Sequence, residues 1–327
     1  MKKLLKIGGI VVLVLLIGIG AALSYVKFGL PSVGDSPELH VDVTPDRVVR
    51  GKYLANHVNA CMDCHSKRDW TQFAGPITPG TLGAGGDRFG HEMGLPGTVY
   101  ARNITPYGIG DWTDGELFRC ITTGVDRNGG ALFPLMPYKA YGKMDKEDVY
   151  SIIAYLRTLP AIKNDIPERS LDFPLNFIIN TIPAKGEPME RPTEDDSIAY
   201  GRYLTISAGC VECHSPSEKG KIVEGMEYAG GGSFKLPGCT VRSANLTPDA
   251  TGLASWTQDV FVKRFKQYED AAYKSPKLTM MDNNSIMPWM MYARMSEGDL
   301  KAIYNYLRTL QPISNQIQKY ERNTASL

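Results

Sequence analysis

The sequence predicts an all-α protein with two tandem domains of one kind and long loops, preceded by one N-terminal transmembrane helix. Three observations support this prediction: a self-similarity over about 110 to 115 residues, an apolar stripe at helical spacing near the end of each copy, and an uncharged N-terminal run of membrane length. Neither copy shows a convincing alternating strand pattern. The 33 glycines and 21 prolines lie mostly between the periodic segments and predict much irregular structure.

The N-terminal run extends from Ile7 to Val26, with three lysines before it. Its length matches a hydrocarbon core of about 30 Å, whereas the apolar part of a signal peptide usually has about 7 to 15 residues. We therefore predict a membrane anchor in residues 1–30, with a long cleaved signal as the alternative, and a linker in 31–45. Because lysines keep the N-terminus inside, the prediction is a single-pass protein of a bacterial inner membrane with its body in the periplasm.

The two copies share five landmarks in the same order. Each copy has Gly-x-Tyr-Leu, then Leu-Pro-Gly, Asn-x-Thr-Pro, Met-Pro-aromatic and Tyr-Leu-Arg-Thr-Leu strings. The landmarks begin at Gly51, Leu95, Asn103, Met136 and Tyr155 in the first copy and at Gly201, Leu236, Asn245, Met287 and Tyr306 in the second. The last two share an offset of 151. We predict domains at 46–160 and 196–311.

Between these domains, residues 161–195 form a connector that is rich in proline and charge, and residues 312–327 form a polar tail. The connector contains an apolar stretch from Phe173 to Ile182, which is too short to cross a bilayer. We expect the connector to lie along the domain surfaces. A contact with the membrane or with another subunit remains open.

Two Cys-x-x-Cys-His strings are the most specific motifs in the chain. They consist of Cys61, Cys64 and His65 in the first copy and Cys210, Cys213 and His214 in the second. This spacing allows two thioether bonds to haem vinyl groups while the adjacent imidazole ligates iron. We predict two covalently bound haem c groups. A zinc site is the alternative, but it needs further converging ligands, and a redox disulfide does not explain the histidines.

Methionine thioethers are the expected sixth ligands of both irons. Met136 and Met287 lie 71 and 73 residues after the two histidines, and a proline that stiffens the loop follows each of them. Met144 and Met295 also recur, but each lies beside a helix start and lacks the proline. A thioether is a soft ligand that raises the reduction potential relative to stronger donors.

Other residues around the motifs leave alternatives open. A carbonyl of Gly75-Pro76 could accept the imidazole N–H of the first histidine. The repeated Asn103 and Asn245, like Trp112 and Trp256, either donate to haem propionates or pack in the core. The two remaining cysteines, Cys120 and Cys239, occupy different positions in the repeat and either form a disulfide between the domains or stay free.

The copies resemble class I cytochrome c domains. The strings Asn103 to Pro106, Gly110 to Thr113, Leu135 to Tyr138 and Tyr155 to Leu159 are similar to those in cytochrome subunits of membrane-bound alcohol and gluconate dehydrogenases. The resemblance covers residues 46 to 311 and implies His/Met ligation and electron transfer toward a respiratory chain. Those subunits usually have three haem domains, whereas this chain has two motifs, which leaves the particular dehydrogenase open.

The predicted function is single-electron transfer by a membrane-anchored carrier that is not itself an enzyme. Its partners would be a redox donor and an acceptor, with a dehydrogenase subunit and a terminal oxidase as candidates. The balance of 36 basic and 35 acidic residues gives no argument for nucleic acid. One alternative is a dihaem peroxidase with His91 or Glu92 as acid or base. Another is a thiosulfate-oxidising dihaem enzyme in which Cys239 ligates one iron.

Overall fold

The computed structural model of the chain describes residues 2–236, 238–270, 272–279 and 282–322. Pro237 of the second Leu-Pro-Gly landmark and residues 323–327 of the predicted tail lie outside the described residues.

The N-terminal run forms helix α1, Lys2–Ser24, which continues as a π-helical turn at Tyr25–Gly29. The combined segment has 28 residues, and its most apolar 18-residue window has a mean hydropathy of 2.6 and is not buried. At a rise of about 1.5 Å per residue it is long enough to cross a bilayer. A signal sequence near the N-terminus has the same properties.

The other helices of the first copy recur in the second copy, except for the short helix Pro106–Ile109. The first copy contains α2 (Pro45–Tyr53), α3 (Cys61–Cys64), α4 (Pro106–Ile109), α5 (Asp114–Thr123), α6 (Tyr138–Tyr141) and α7 (Lys146–Arg157). The connector contains α8 (Leu175–Ile178), and the second copy contains α9 (Ser197–Ser207), α10 (Cys210–Cys213), α11 (Gln258–Lys266), α12 (Trp289–Tyr292) and α13 (Glu297–Leu307). A π-helical turn, Leu54–Val58, follows α2.

The last helix of each copy begins at a side-chain cap and buries its apolar stripe. Asp145 and Ser296 accept hydrogen bonds from backbone N–H groups in the first turns of α7 and α13. The stripe of α7 is buried at Val149, Ile152, Ile153 and Leu156, and that of α13 at Leu300, Ile303 and Leu307. The predicted helices and their buried faces are therefore confirmed.

A glycine lies where the first and last long helices of each copy cross. Helix α2 packs on α7, and α9 packs on α13. A Cβ atom at Gly51 would lie 1.8 Å from the backbone oxygen of Ser151, and one at Gly201 would lie 1.9 Å from that of Ala302. The two backbones are thus in direct contact, which explains the glycine of the first landmark.

The all-α prediction was incomplete, because the structure also contains short antiparallel strands. In the first copy, β1 (Arg88–Phe89), β2 (Gly97–Tyr100) and β3 (Ser170–Leu171) form one sheet in that order. In the second copy, β4 (Ser217–Glu218) pairs with β5 (Lys221–Ile222), and β6 (Ser233–Leu236), β7 (Cys239–Arg242) and β8 (Tyr320–Arg322) form a third sheet. Strands of two to four residues are too short to show a detectable alternation of polar and apolar residues.

The chain after each last helix returns along the copy that precedes it. Strand β3 belongs to the connector and β8 to the tail, and each completes the sheet of its own copy. The Asn164 side chain donates to the carbonyl of Ala84 at 2.9 Å, and the Asn315 side chain donates to that of Ala229 at 3.1 Å. The repeat in three dimensions therefore includes segments beyond the five landmarks.

The two copies meet through reciprocal contacts. The Tyr53 hydroxyl donates to Asp299 at 2.5 Å, and the Tyr203 hydroxyl donates to Asp148 at 2.6 Å. Tyr53 and Tyr203 occupy the same landmark in the two copies, and the two aspartates occupy the same turn of α7 and α13. The two sides of the interface are therefore related to each other by an approximate two-fold rotation.

The carboxylate of Asp148 is expected to make the free energy of unfolding depend on pH in the acidic range. Its side chain is 1% exposed and accepts two hydrogen bonds from Arg50, at 2.9 and 2.8 Å. Burial raises the pKa of Asp148, but the hydrogen bonds and charge of Arg50 and the Tyr203 hydroxyl outweigh burial and hold it below its usual range. Because the folded-state pKa is depressed, this contribution is complete above the unfolded-state pKa of about 3.9 and is lost as pH falls.

We expect Asp148→Asn to lower the free energy of unfolding at pH 7 by about 1 to 3 kcal/mol and to flatten its pH dependence below about pH 4. Denaturant unfolding at pH 7 and pH 3 measures both effects. The control is Asp111→Asn, since Asp111 is 77% exposed in its ion pair with Arg127 and should change stability by less than about 0.5 kcal/mol. Equal pH profiles for D148N and the parent protein would contradict the expectation.

Candidate haem-binding sites

Each Cys-x-x-Cys-His string folds as a single helical turn. Ala60 and Gly209 precede the first cysteines with φ values of 49° and 65°, so the chain enters each turn from the left-handed region. Residues three apart lie on the same face of a helix, so the two cysteines of each pair share one face of their turn. The following histidine N–H donates to the carbonyl of the first cysteine, at 2.9 Å for His65 and 2.8 Å for His214.

Both histidine rings are oriented by a backbone carbonyl. Nδ1 of His65 lies 2.7 Å from the carbonyl oxygen of Arg102, and Nδ1 of His214 lies 2.8 Å from that of Ala244. A proton on Nδ1 leaves the lone pair of Nε2 free to bind a metal. The expectation of a carbonyl from Gly75-Pro76 was wrong, because the Pro76 carbonyl accepts the N–H of Asp69. Burial lowers the pKa of both imidazoles and so favours the neutral, metal-binding form.

The Asn-x-Thr-Pro landmark fixes those two carbonyls. Asn103 and Asn245 directly follow Arg102 and Ala244. Both amides are buried, and each donates at 2.8 Å to a backbone carbonyl in the chain after the last helix of its copy. Their oxygens accept from the threonine two positions later. Of the two open alternatives for these asparagines, the structure shows buried packing.

The Tyr-Leu-Arg-Thr-Leu landmark ties the last helix of each copy to an earlier loop of the same copy, which precedes α5 in the first copy and α11 in the second. Arg157 donates to the carbonyl of Trp112 at 2.5 Å, and Arg308 donates to the carbonyl of Leu253 at 2.9 Å. Trp112 and Trp256 are partly buried against the core. These bonds give the repeated arginines a structural role in shaping the sites.

In the first copy, three predicted site residues meet in one pocket. Cys61, His65 and Met136 all line it, in a wall that is otherwise mostly apolar. The remaining lining residues are Asn59, Ile104, Ile121, Tyr141, Ile152 and Leu156. A thiol, an imidazole with a free Nε2 and a thioether around an apolar space are the groups that a covalently attached haem requires. The residues present therefore fit haem c.

The second copy shares the backbone bonds of the methionine loop and the types of apolar residue. The N–H groups of Tyr138 and Trp289 donate to the carbonyls of Met136 and Met287 at 2.8 and 2.7 Å, with the proline between donor and acceptor. Met287 and Cys210 pack against the same core cluster. The counterparts of the apolar wall in that cluster are Leu246, Phe265, Tyr292, Ile303 and Leu307.

The other repeated methionines lie in the core. Met144 and Met295 are each 1% exposed. The sulfur of Met144 accepts a hydrogen bond from the Asn59 amide at 3.0 Å. Both side chains are thus already enclosed by protein, whereas Met136 faces the pocket.

All six cysteines are free thiols in the structure. Burial raises the pKa of Cys61 and Cys210 to about 12. Within the described ranges, no group of three or more His, Cys, Asp or Glu side chains could hold a metal ion. Cys120 lies in α5 and Cys239 in β7, and no disulfide joins them.

The acid or base residues considered for a peroxidase lie on the surface. His91 pairs with Asp172 at 2.8 Å, and its side chain is 62% exposed. Glu92 pairs with Arg88 at 2.6 Å and is 53% exposed. Neither residue lines the pocket that contains Met136.

The two cysteine turns are linked across the interface between the copies. The Asn59 amide donates at 3.2 Å to the carbonyl of Ser207. Asn59 stands two residues before Cys61, and Ser207 stands three residues before Cys210. Two tyrosines hold these segments in place. The Tyr141 hydroxyl donates to the Asn59 carbonyl at 3.0 Å, and the Tyr292 hydroxyl donates to the Ala208 carbonyl at 2.8 Å. Sequence reasoning missed this link, since Asn59 has an alanine as its counterpart.

This fold and this set of groups agree with the comparisons to known proteins. Residues 198–311 match the cytochrome c family model. This part of the chain is a cytochrome c domain.

Three similar proteins are named as cytochrome subunits of dehydrogenases. The chain is 27% identical over 310 residues to the cytochrome c subunit of a quinone alcohol dehydrogenase from Gluconacetobacter polyoxogenes, covering 87% of this chain and 61% of that protein. It is 30% identical over 285 residues to the gluconate 2-dehydrogenase cytochrome c subunit of Pantoea cypripedii, covering 80% and 59%. It is 29% identical over 280 residues to the fructose dehydrogenase cytochrome subunit of Gluconobacter japonicus, covering 80% and 52%.

These matches confirm the resemblance to cytochrome subunits of alcohol and gluconate dehydrogenases. The chain spans 52 to 61% of the length of these three relatives.

Proposed function

We propose that this chain is a membrane-anchored dihaem cytochrome c that transfers single electrons as the cytochrome subunit of a membrane-bound dehydrogenase. The observation that carries the proposal is the convergence of Cys61, His65 and Met136 on one apolar pocket. The same backbone and histidine hydrogen bonds in the second copy support a second site of the same kind.

In this proposal, Cys61 and Cys64 hold one haem and Cys210 and Cys213 hold the other. His65 and Met136 are the axial ligands in the first site, and His214 and Met287 are those in the second. The two ligand pairs occupy matching positions in the two copies. Bound haem supplies one-electron redox chemistry. The chain's own residues supply neutral imidazoles fixed by the Arg102 and Ala244 carbonyls, a soft sulfur ligand, and apolar walls that keep water away from the metal.

The proposed location is the bacterial inner membrane, with α1 as a single-pass anchor and both haem domains in the periplasm. The exposed apolar surface of α1 supports the anchor, because no described part of the protein packs over the most apolar stretch of this helix. The catalytic subunit of a dehydrogenase is the proposed electron donor, and a terminal oxidase is a proposed end acceptor. The names of the three relatives support the first of these partners.

The primary test is an oxidised and a reduced spectrum of the purified protein, from visible to near infrared, with haem per chain measured by the pyridine assay. Two covalent haems, each with the weak near-infrared band of methionine-to-iron coordination, are expected. One haem without that band, together with ready binding of peroxide, would instead support the peroxidase alternative. Co-purification with a dehydrogenase from solubilised membranes, and haem reduction on adding its substrate, tests the partner.

The two attachment motifs are expected to act independently in haem loading. The double variant Cys61→Ala/Cys64→Ala should retain one covalent haem, as should Cys210→Ala/Cys213→Ala, because each pair supplies both thioether sulfurs of its own site. The mass of the denatured protein, compared with the pyridine assay, counts the remaining groups. The matched control is Cys120→Ala, which should keep both haems. Loss of both haems from folded protein in one double variant would contradict two separate sites.

A further inference from the structure

Exposed apolar residues lie on the connector and on the π-helical turn that follows α1, and together they form an apolar patch. We define it by Phe28, Phe173 and Ile178, whose side chains are 79%, 85% and 46% exposed. Single exposed apolar residues are ordinary on protein surfaces, whereas a group of them calls for a partner. The patch belongs to neither haem site described above.

The connector is held against the segment that follows α1. Helix α8 and the 3-10 turn Ile179–Thr181 both pack on the π-helical turn Tyr25–Gly29. The amide of Asn180 donates at 3.3 Å to the carbonyl of Val26. Ile179, between the exposed residues and this bond, is 1% exposed and fixes the segment to the protein. The patch therefore has a defined place at the end of the apolar helix.

The position of the patch indicates that its partner is the lipid bilayer. A helix that crosses a bilayer leaves it where its apolar run ends, and here that run ends at Val26, next to Lys27. The Lys27 ammonium lies 5.3 Å from the centre of the Phe28 ring. Aromatic residues and lysines of this kind are enriched where hydrocarbon meets headgroups. The apolar stretch Phe173–Ile182 is too short to span the bilayer but long enough to lie in its surface.

We propose that the patch of Phe28, Phe173 and Ile178 inserts into the interfacial layer of the bilayer on the side where α1 emerges. The proposal rests on the proposed membrane anchor. The chain then has two attachments to the membrane, the helix and the patch, and the first copy is held in one orientation above the lipid. A single helix with a free linker would leave that orientation undefined.

Nitroxide labels in the full-length holoprotein test this proposal. The labels are placed at Phe173→Cys and Ile178→Cys, each in a chain that also carries Cys120→Ala and Cys239→Ala, and the protein is reconstituted into phosphatidylcholine and phosphatidylglycerol vesicles. Oxygen concentrates in lipid and a nickel chelate in water, so the ratio of their collision rates reports depth. The control is Val260→Cys, since Val260 is 48% exposed on α11 of the second copy.

We expect the oxygen-to-nickel ratio at 173 and 178 to be several-fold higher than at 260. Equal ratios at all three positions would overturn the proposal. Immobile labels at 173 and 178 that neither reagent reaches would also overturn it, because another protein subunit would then cover the patch. A label at Val12→Cys separates this outcome from failure of the anchor, since a water-like ratio at 12 would show that α1 itself is not in the bilayer.

Discussion

Replacing Met136 with leucine is expected to lower the reduction potential of the first haem by on the order of 100 mV. A thioether ligand raises the potential relative to stronger donors, and axial ligands set haem potentials over a range of about 0.8 V. The change should also remove one of the two near-infrared methionine bands and open that iron to cyanide. Leucine is close to methionine in volume, so the fold should lose less than about 1.5 kcal/mol.

Spectroelectrochemical titration of both haems measures this effect, and Met144→Leu is the matched control. Met144 is the other repeated methionine of the first copy, but it is buried in the core and bonded to Asn59. The control should keep both potentials and both bands. A shift produced by M144L and not by M136L would show that the assignment of the ligand was wrong. Met287→Leu and Met295→Leu repeat the comparison in the second copy.

Adding one methyl group at Gly201 is expected to destabilise the second copy by about 3 kcal/mol. A Cβ at this position would lie 1.9 Å from the backbone oxygen of Ala302, and Gly51 faces Ser151 in the same way at 1.8 Å. Since the obstacle is backbone rather than a flexible side chain, α9 and α13 must move apart. Thermal unfolding of Gly201→Ala and Gly51→Ala, each in the haem-loaded protein, measures the loss.

The same substitution at Gly298 provides the control. Gly298 is exposed in the first turn of α13, and the nearest atom to a Cβ there would be the Ser296 hydroxyl at 3.7 Å. Alanine is the better helix former, so Gly298→Ala should be neutral or stabilising by up to about 1 kcal/mol. If G201A proved as stable as G298A, the tight crossing of α9 and α13 would not exist in solution.

The long helices and the groups that meet in the first pocket were predictable because they depend on local sequence. Caps and apolar periodicity predict α7 and α13, and the spacing of Cys61, Cys64 and His65 follows from the covalent chemistry of haem. The proline after Met136 distinguished it from Met144, and the structure places Met136 in the pocket. In each case the signal lies within a few consecutive residues.

Features that depend on distant parts of the chain were missed. The carbonyl that orients His65 comes from Arg102, and any residue type supplies a carbonyl, so its side chain carries no signal. The strands have two to four residues and depend on pairing with the connector and the tail. One signal was available but unused: Asn164 and Asn315 share the offset of 151 and play the same role in the two copies.

The reciprocal bonds of Tyr53 with Asp299 and of Tyr203 with Asp148 join the two copies through the same pair of positions in both directions. A surface that binds a second copy of itself through the same pairs is the interface of a symmetric homodimer. The contact between the two copies therefore has the form of a dimer interface that lies within one chain. Because both halves belong to one chain, the two sides need not be identical, and Asn59 indeed has an alanine as its counterpart.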